Sequence, residues 1–284
     1  AIILPLVISL LMDMCILTKN NHRVKVTTHI PCLPEDSNME KTKSLYDYVI
    51  ANKHGQIILC PELYFQPISL DRTSLNRNLL YFNELIKSDS NLIIFAGAEV
   101  LAANGKLYNV FLSCDQSGVM IKTKRKYVPV TEYTPTILEP IAGKSYYGFA
   151  EKDQQDDIVK KHHILPLLCY ESVFSSYTCN NAIGNSLIFL STSEEFMRGS
   201  VFGKRQYYNI VRIRAIETKR NVVKCSNKGI SGVINEKGST VRTIEREFET
   251  FDVFLIDSTS FYCKALSFIK TVRIKMKSLV RDSF

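Results

Sequence analysis

Residues 164–172 read Ile164-Leu165-Pro166-Leu167-Leu168-Cys169-Tyr170-Glu171-Ser172. The short, continuous apolar run is the mark of a strand buried on both faces, and a thiol and a carboxylate follow it at once. Strand ends gather polar groups in α/β folds, because the strand fixes the backbone while the side chain emerges from the core. Two other stretches share the feature. Gln56-Ile57-Ile58-Leu59-Cys60 runs into Pro61-Glu62. The strand after the Ser117-Gly118 turn leads to Lys122-Thr123-Lys124-Arg125-Lys126, then to Tyr127-Val128-Pro129-Val130-Thr131-Glu132-Tyr133.

Outward from these stretches, strand-like and helix-like segments alternate. Arg23–Ile30 alternates as a half-buried strand, with Val24, Val26, Thr28 and Ile30 on one face. Ser37 and Glu40 form a capping-box signature for a helix through Lys53. Residues 71–87 place Leu75, Leu79, Phe82 and Ile86 on one helical face, and 204–219 read as a helix with Tyr208, Val211, Ala215 and Ile216 inside. Strands are predicted at 91–98, 107–114, 187–192, 222–226, 230–235, 239–244 and 253–256, with turns at Asp115–Gly118 and Glu236–Gly238. Many strands, some joined by hairpins and some by helices, indicate a layered α/β or α+β domain. The pattern alone does not choose among such folds.

Composition narrows the function. At 284 residues and 45% hydrophobic content, the chain can bury one large core, and no linker divides it. The net charge of +8 is concentrated at the end, where Lys264, Lys270, Arg273, Lys275, Lys277 and Arg281 face Asp282 alone. The body is only mildly basic, which argues against a nucleic-acid partner. The eight cysteines are scattered, with no C-x-x-C and no histidine pair at ligand spacing, so neither a zinc site nor a disulfide framework is expected. Residues 1–17 are apolar apart from Ser9 and Asp13, too short for a comfortable membrane span. They read either as the end of a membrane helix that begins upstream or as a buried helix. Three regions result: an apolar membrane-associated segment (1–20), a body (21–262) and a basic amphipathic tail (263–284), whose Ala265, Leu266, Ile269, Val272, Met276 and Leu279 recur at helical spacing.

Familiar motifs fail. Gly143-Lys144-Ser145 lacks the first glycine of a P-loop, and neither G-x-S-x-G nor G-x-G-x-x-G occurs. No histidine stands beside a candidate nucleophile. Taken singly, Glu62 reads as a loop carboxylate, Lys124 as part of a solvated basic run, and Cys169 as a buried filler.

Their order reads differently. Glu62 after Pro61, Lys124 with Glu132 eight residues on, and Cys169-Tyr170-Glu171-Ser172 resemble the nitrilase, or carbon–nitrogen hydrolase, superfamily, which uses Glu, Lys and Cys in that sequence. Arg214-Ala215-Ile216-Glu217-Thr218-Lys219-Arg220 and Ser226-Asn227-Lys228-Gly229-Ile230-Ser231 also match. The resemblance spans residues 23–260. Within the superfamily it is closest to the apolipoprotein N-acyltransferase branch, on Cys-Tyr-Glu in place of Cys-Tyr-Asp, on the Val128–Pro135 stretch, and on the apolar segment preceding the first strand.

That resemblance implies an α-β-β-α sandwich and a thioester on Cys169. Glu62 would be the general base, Lys124 the oxyanion donor, and Glu132 and Glu171 supporting carboxylates; Tyr133, Tyr170 and Phe196 would border the substrate. No metal or organic cofactor is required. The implied partners are a phospholipid acyl donor, a lipoprotein N-terminus as acceptor, and the membrane itself; the implied location is the bacterial inner membrane, with the catalytic domain facing the periplasm. Two departures stand out. Ser193-Glu194-Glu195-Phe196 occupies the place of an Asn-Asp-(Ala/Gly)-Trp motif, and Tyr207, after the retained Gln206, stands where His is common. A nitrilase-type amidase acting on a small amide and a catalytically lapsed binding module are the alternatives.

Overall fold

Ile58 and Leu59 are neighbours in sequence, yet each is fully buried in a different apolar cluster. Side chains of a strand alternate between its two faces, so a sheet covered on both sides needs apolar residues at consecutive positions. The same alternation recurs at Ile94/Phe95, Ile164/Leu165, Ile188/Phe189 and Val222/Val223. It builds two sheets packed face to face, each backed by helices.

The fold is that of a computed structural model describing residues 22–31, 37–52, 57–69, 84–87, 89–102, 105–143, 145–148, 161–197 and 199–281, with helix side chains described to Ile274. In chain order the elements are β1 (Arg23–His29), α1 (Asn38–Ala51), β2 (Ile57–Leu59), β3 (Phe65–Ser69), β4 (Ile93–Leu101), β5 (Leu107–Asp115), β6 (Gly118–Thr123), β7 (Ile164–Leu168), α2 (Ser175–Ala182), β8 (Leu187–Ser193), α3 (Val201–Thr218), β9 (Asn221–Asn227), β10 (Ser231–Ile234), β11 (Thr240–Ile244), β12 (Phe248–Phe254) and α4 (Phe261–Arg281). Among the described residues, one sheet runs β12-β1-β2-β4-β5-β6, with β3 also paired to β4, and the other runs β11-β10-β9-β8-β7. Of the strands leading to the candidate residues, β2, β7 and β8 pair in parallel with their neighbours, and β6 pairs antiparallel with β5.

Leu59, Phe95, Leu168, Phe189 and Val223 fill the space between the sheets. Leu45 and Val49 of α1 cover the outer face of the first sheet, and Tyr207, Val211 and Ala215 of α3 cover that of the second. This is the expected α-β-β-α sandwich. The capping box of α1 is present, with Glu40 N donating to Ser37 Oγ and Ser37 N donating to the Glu40 carboxylate at 2.7 Å.

Differences from the sequence reading have local causes. Helix α3 begins at Val201, where the Ser200 side chain caps Gly203 N, and Ile216 is only half-buried while Arg214, Glu217 and Thr218 are buried. Helix α2 is rich in Ser and Asn, which compete for their own backbone, so no periodicity announces it. Strand β12 begins at Phe248, earlier than expected, because it pairs with β1 along its whole length, from Arg23 opposite Phe254 to His29 opposite Phe248. The predicted 71–87 helix lies mostly outside the described residues; within it, Glu84–Lys87 is helical. The 1–20 segment also lies outside them. In α4, Cys263 is fully buried, whereas Phe268, Ile269 and Ile274 are exposed. Among the described residues no helix is long and apolar enough to cross a membrane.

Candidate active site

Gly97 lets the loop carrying Glu62 lie directly on β4. Its N–H donates to Pro61 O at 3.1 Å, and a Cβ there would stand 2.5 Å from Glu62 Cα. The Glu62 carboxylate is buried and uses both oxygens. Oε1 accepts from Lys124 Nζ at 2.8 Å and from Asn109 Nδ2 at 2.9 Å, while Oε2 accepts from Ser193 N at 2.9 Å. Lys124, just beyond β6, is fully buried, and its ammonium also donates to Glu132 Oε1 at 2.6 Å. Glu132 Oε2 in turn accepts from Val128 N at 2.8 Å, closing the loop between them. The basic run 122–126 is therefore no solvated face: Lys122 and Lys124 alternate inward, 2% and 0% exposed.

Cys169 opens a 3-10 turn, Cys169–Val173, with φ at +39°. A residue with a Cβ in this region carries strain of order 1 kcal/mol, and the surroundings hold it there. The Cys169 carbonyl accepts from Tyr207 OH at 2.7 Å and from Ser172 Oγ at 2.9 Å. The thiol is directed at Ser193 O, 3.9 Å away, the residue whose N–H binds Glu62. Glu62, Lys124, Glu132 and Cys169 thus share one buried site.

Burial pushes the Cys169 thiol well above its ordinary pKa; Glu62 adds to that push and Lys124 opposes it. Burial also works against the Lys124 ammonium, but the charge of Glu62, and after it that of Glu132, outweighs burial and raises its pKa. The resting site therefore holds a neutral thiol beside a fixed cation. Such a thiol needs a base at the moment of attack.

The remaining predicted residues fall in different places. Glu171 does not contact Lys124. It accepts from Lys122 Nζ at 2.9 Å, Leu168 N at 2.9 Å, Arg125 N at 2.8 Å and Tyr177 OH at 3.1 Å, pinning the β6 exit to the β7 exit. The Tyr170 ring packs edge-on against Phe174, with centroids 5.2 Å apart. Tyr133 is half-buried and Phe196 is exposed. Glu194 is fully buried against Lys224, and Glu195 pairs with Lys228 in solvent.

Sequence reasoning missed Asn109, which donates to both Glu62 and Glu132. Its signal was a polar residue inside an apolar strand. Asn227 was seen only as part of a motif; its amide donates to Glu62 O at 3.0 Å. The Arg214–Arg220 motif is structural. Arg214 pairs with Glu217 at 2.5 Å, Lys219 caps α3 with φ +54°, and buried Arg220 donates to the carbonyls of Asn185 and Ser258.

The fold is that of the nitrilase superfamily. A Saccharomyces cerevisiae member of branch 10 of that superfamily superposes with a TM-score of 0.62 at 14% identity, covering 82% of this chain and 90% of that one. The carbon–nitrogen hydrolase of Helicobacter pylori G27 gives 0.59 at 12% identity, over 92% and 95%. An amidase from Nesterenkonia sp. AN1, bearing an acetamide moiety on its active-site cysteine, gives 0.57 at 14%, over 88% and 95%. No family model matches the chain. In sequence it is similar to apolipoprotein N-acyltransferases: that of Wigglesworthia glossinidia brevipalpis is 27% identical over 218 residues, 71% of this chain and 43% of the relative. That of Vibrio vulnificus is 26% identical over 214 residues, 70% and 41%. The chain thus spans about two-fifths of the length of these curated relatives.

Proposed function

We propose that this chain is an acyltransferase that takes a fatty acyl group from a phospholipid as a thioester on Cys169 and passes it to the N-terminal amine of a lipoprotein. The observation that carries the reading is the buried Glu62–Lys124 pair beside the Cys169 thiol. Glu62 takes the thiol proton as sulfur attacks the ester carbonyl. Lys124 offsets the charge on the acyl oxygen. Collapse breaks the ester C–O bond, and the leaving alkoxide receives the proton from Glu62. In the second half the acceptor amine attacks the thioester, gives a proton to Glu62, and the sulfur leaves and is reprotonated. Glu132 and Asn109 hold Lys124 and Glu62, while Glu171 orders the Lys122–Arg125 segment. Tyr133, Tyr170 and Phe196 border the substrate.

A second feature supports a lipid donor. A groove of about 430 Å³ between α2 and α4 is lined by Phe174, Tyr177, Leu266 and Ile269 together with Lys126, Lys270 and Arg273. Apolar walls with cationic groups suit an amphiphile with an anionic head. On this reading the protein works at the bacterial inner membrane with its catalytic domain facing the periplasm. The amidases among its fold neighbours favour the second reading, hydrolysis of a small amide at the same thiol.

The test is intact-mass spectrometry of the full chain in phospholipid vesicles. An acyl adduct on Cys169, discharged by a diacylated lipopeptide and absent in Cys169→Ala, is expected. An adduct confined to another cysteine would refute the mechanism. Turnover of small amides with no adduct from phospholipid would select the amidase.

A further inference from the structure

The two departures from the acyltransferase pattern, 193–196 and Tyr207, are joined in the fold through Lys224. Glu194 lies just past β8 and Lys224 within β9; neither is exposed. Glu194 Oε1 takes a salt bridge from Lys224 Nζ and a hydrogen bond from Ser226 Oγ at 2.9 Å. Lys224 also donates to Ile230 O at 2.6 Å. Its ammonium lies 5.3 Å from the centroid of the Tyr207 ring, within cation–π range. The Tyr207 hydroxyl donates to Cys169 O. Gly229 makes the room: a Cβ there would overlap Glu194 Oε1 and Ser226 Oγ. Glu194 Oε2 is buried with no hydrogen-bond partner, so Lys224 is the main compensation for that charge. Removing one member of such a pair strands the other in a poorly solvated place.

We propose that Tyr207, Lys224 and Glu194 form one positioning unit for the nucleophile, with Tyr207 fixing the Cys169 carbonyl and the ion pair fixing Tyr207 and balancing the charge near the sulfur. This rests on Cys169 being the nucleophile. The charged neighbours that act on its thiol are Glu62, Lys124, Glu132 and Lys224, and Tyr207 touches its carbonyl as a neutral hydroxyl. Lys224→Met leaves the Glu194 carboxylate uncompensated and disfavours the thiolate. Glu194→Gln removes the charge that best opposes burial in keeping the Lys224 ammonium protonated, so the lysine gives up its proton and the thiolate is disfavoured here too. The double variant carries neither charge.

The measurement is the rate at which iodoacetamide alkylates Cys169 in the full chain, followed by peptide mass spectrometry across pH. At a fixed pH, Lys224→Met and Glu194→Gln should each react about tenfold more slowly, and the double variant no more slowly than Lys224→Met, because all three remove one and the same cation. Parent-like single variants, or a double variant slowed by the product of the two single effects, would overturn the proposal. A purely structural pair would slow alkylation without moving its pH profile, whereas loss of the cation moves the profile to higher pH. Should the single variants not fold, Tyr207→Phe decides, since it keeps the ring under the ammonium. Without the hydroxyl, Cys169 can relax from its positive φ and draw sulfur away from Lys124, so alkylation should slow about tenfold; a parent-like rate would overturn the unit. Alkylation needs no acyl donor. A parent chain that alkylates normally but forms no thioester would count against the acyl-transfer reading alone.

Discussion

Gly97→Ala adds one methyl group at a residue with no chemistry of its own. A Cβ at Gly97 meets only backbone: Glu62 Cα at 2.5 Å, Pro61 O at 2.9 Å and Leu63 N at 3.0 Å. Ordinary contact begins at 3.4 Å, so the Glu62 backbone must retreat by about 0.9 Å, and no flexible side chain can absorb the shift. The Glu62 carboxylate is held by bonds of 2.8–2.9 Å to Lys124, Asn109 and Ser193 N. A displacement of that size takes them past the hydrogen-bond range, and misplacement by about 1 Å costs roughly 100-fold, or about 2.7 kcal/mol, in a catalytic step. Overpacking should also lower stability by about 1–3 kcal/mol. The assays are the rate of thioester formation on Cys169 and urea unfolding. Gly199→Ala is the control, because nothing lies within 4 Å of a Cβ there. A Gly97→Ala chain that acylates like the parent would refute the claim that the close seat of this loop on β4 sets the position of Glu62.

Two further outcomes follow from buried ionisable groups. His29 is buried among Tyr64, Phe248 and Glu247, and burial lowers its pKa from 6.5 to about 4. A neutral imidazole in the folded state gives stability that is full above pH 6.5 and is lost as pH falls towards 4, about 3 kcal/mol in all; in urea unfolding at pH 7 and pH 4.5, His29→Gln should lose less stability between the two than the parent, and equal losses would contradict this. Lys122→Met alone should cost about 3–5 kcal/mol, because it strands the Glu171 carboxylate, whereas adding Glu171→Gln, which keeps an acceptor for part of the Arg125 N, Leu168 N and Tyr177 OH set, should recover part of that loss; a double variant as unstable as Lys122→Met would place the cost elsewhere.

The layers of the fold were legible because both sheets are covered on two sides. Ile57–Leu59, Ile164–Leu168 and Leu187–Leu190 had to be apolar throughout, and continuous runs are easily read. Elements that lack such a constraint were hidden. Helix α2 owes its form to Thr178, Cys179 and Ala182 packing inward rather than to any repeat, and β3 is five residues interrupted by Pro67. Glu62, Lys124 and Cys169, which the fold brings into one buried cluster, were singled out by their order and flanking residues, while each alone had a bland reading. Asn109, Tyr207 and Lys224 were not assigned roles, because their meaning is a contact across the molecule. A lysine inside a strand can be recognised as odd from sequence, but the carboxylate that justifies it lies 30 residues away in Glu194.

Three lysines, Lys122, Lys124 and Lys224, lie buried, each against a carboxylate. Buried ion pairs contribute little net stability, since desolvation offsets their attraction, so stability does not account for the arrangement. Their placement does. Lys124 ties the end of β6 to the loop after β2, Lys122 ties the same strand to the turn after β7, and Lys224 ties β9 to the residue after β8. Those are the strand ends that surround Cys169, and they come from both sheets. Apolar packing between the sheets resists separation but is non-directional, and it tolerates shifts of a few tenths of an ångström that would disrupt the hydrogen bonds of the site. Charge-assisted hydrogen bonds of 2.6–2.9 Å are directional. The site is therefore registered by its ion pairs and only insulated by its core.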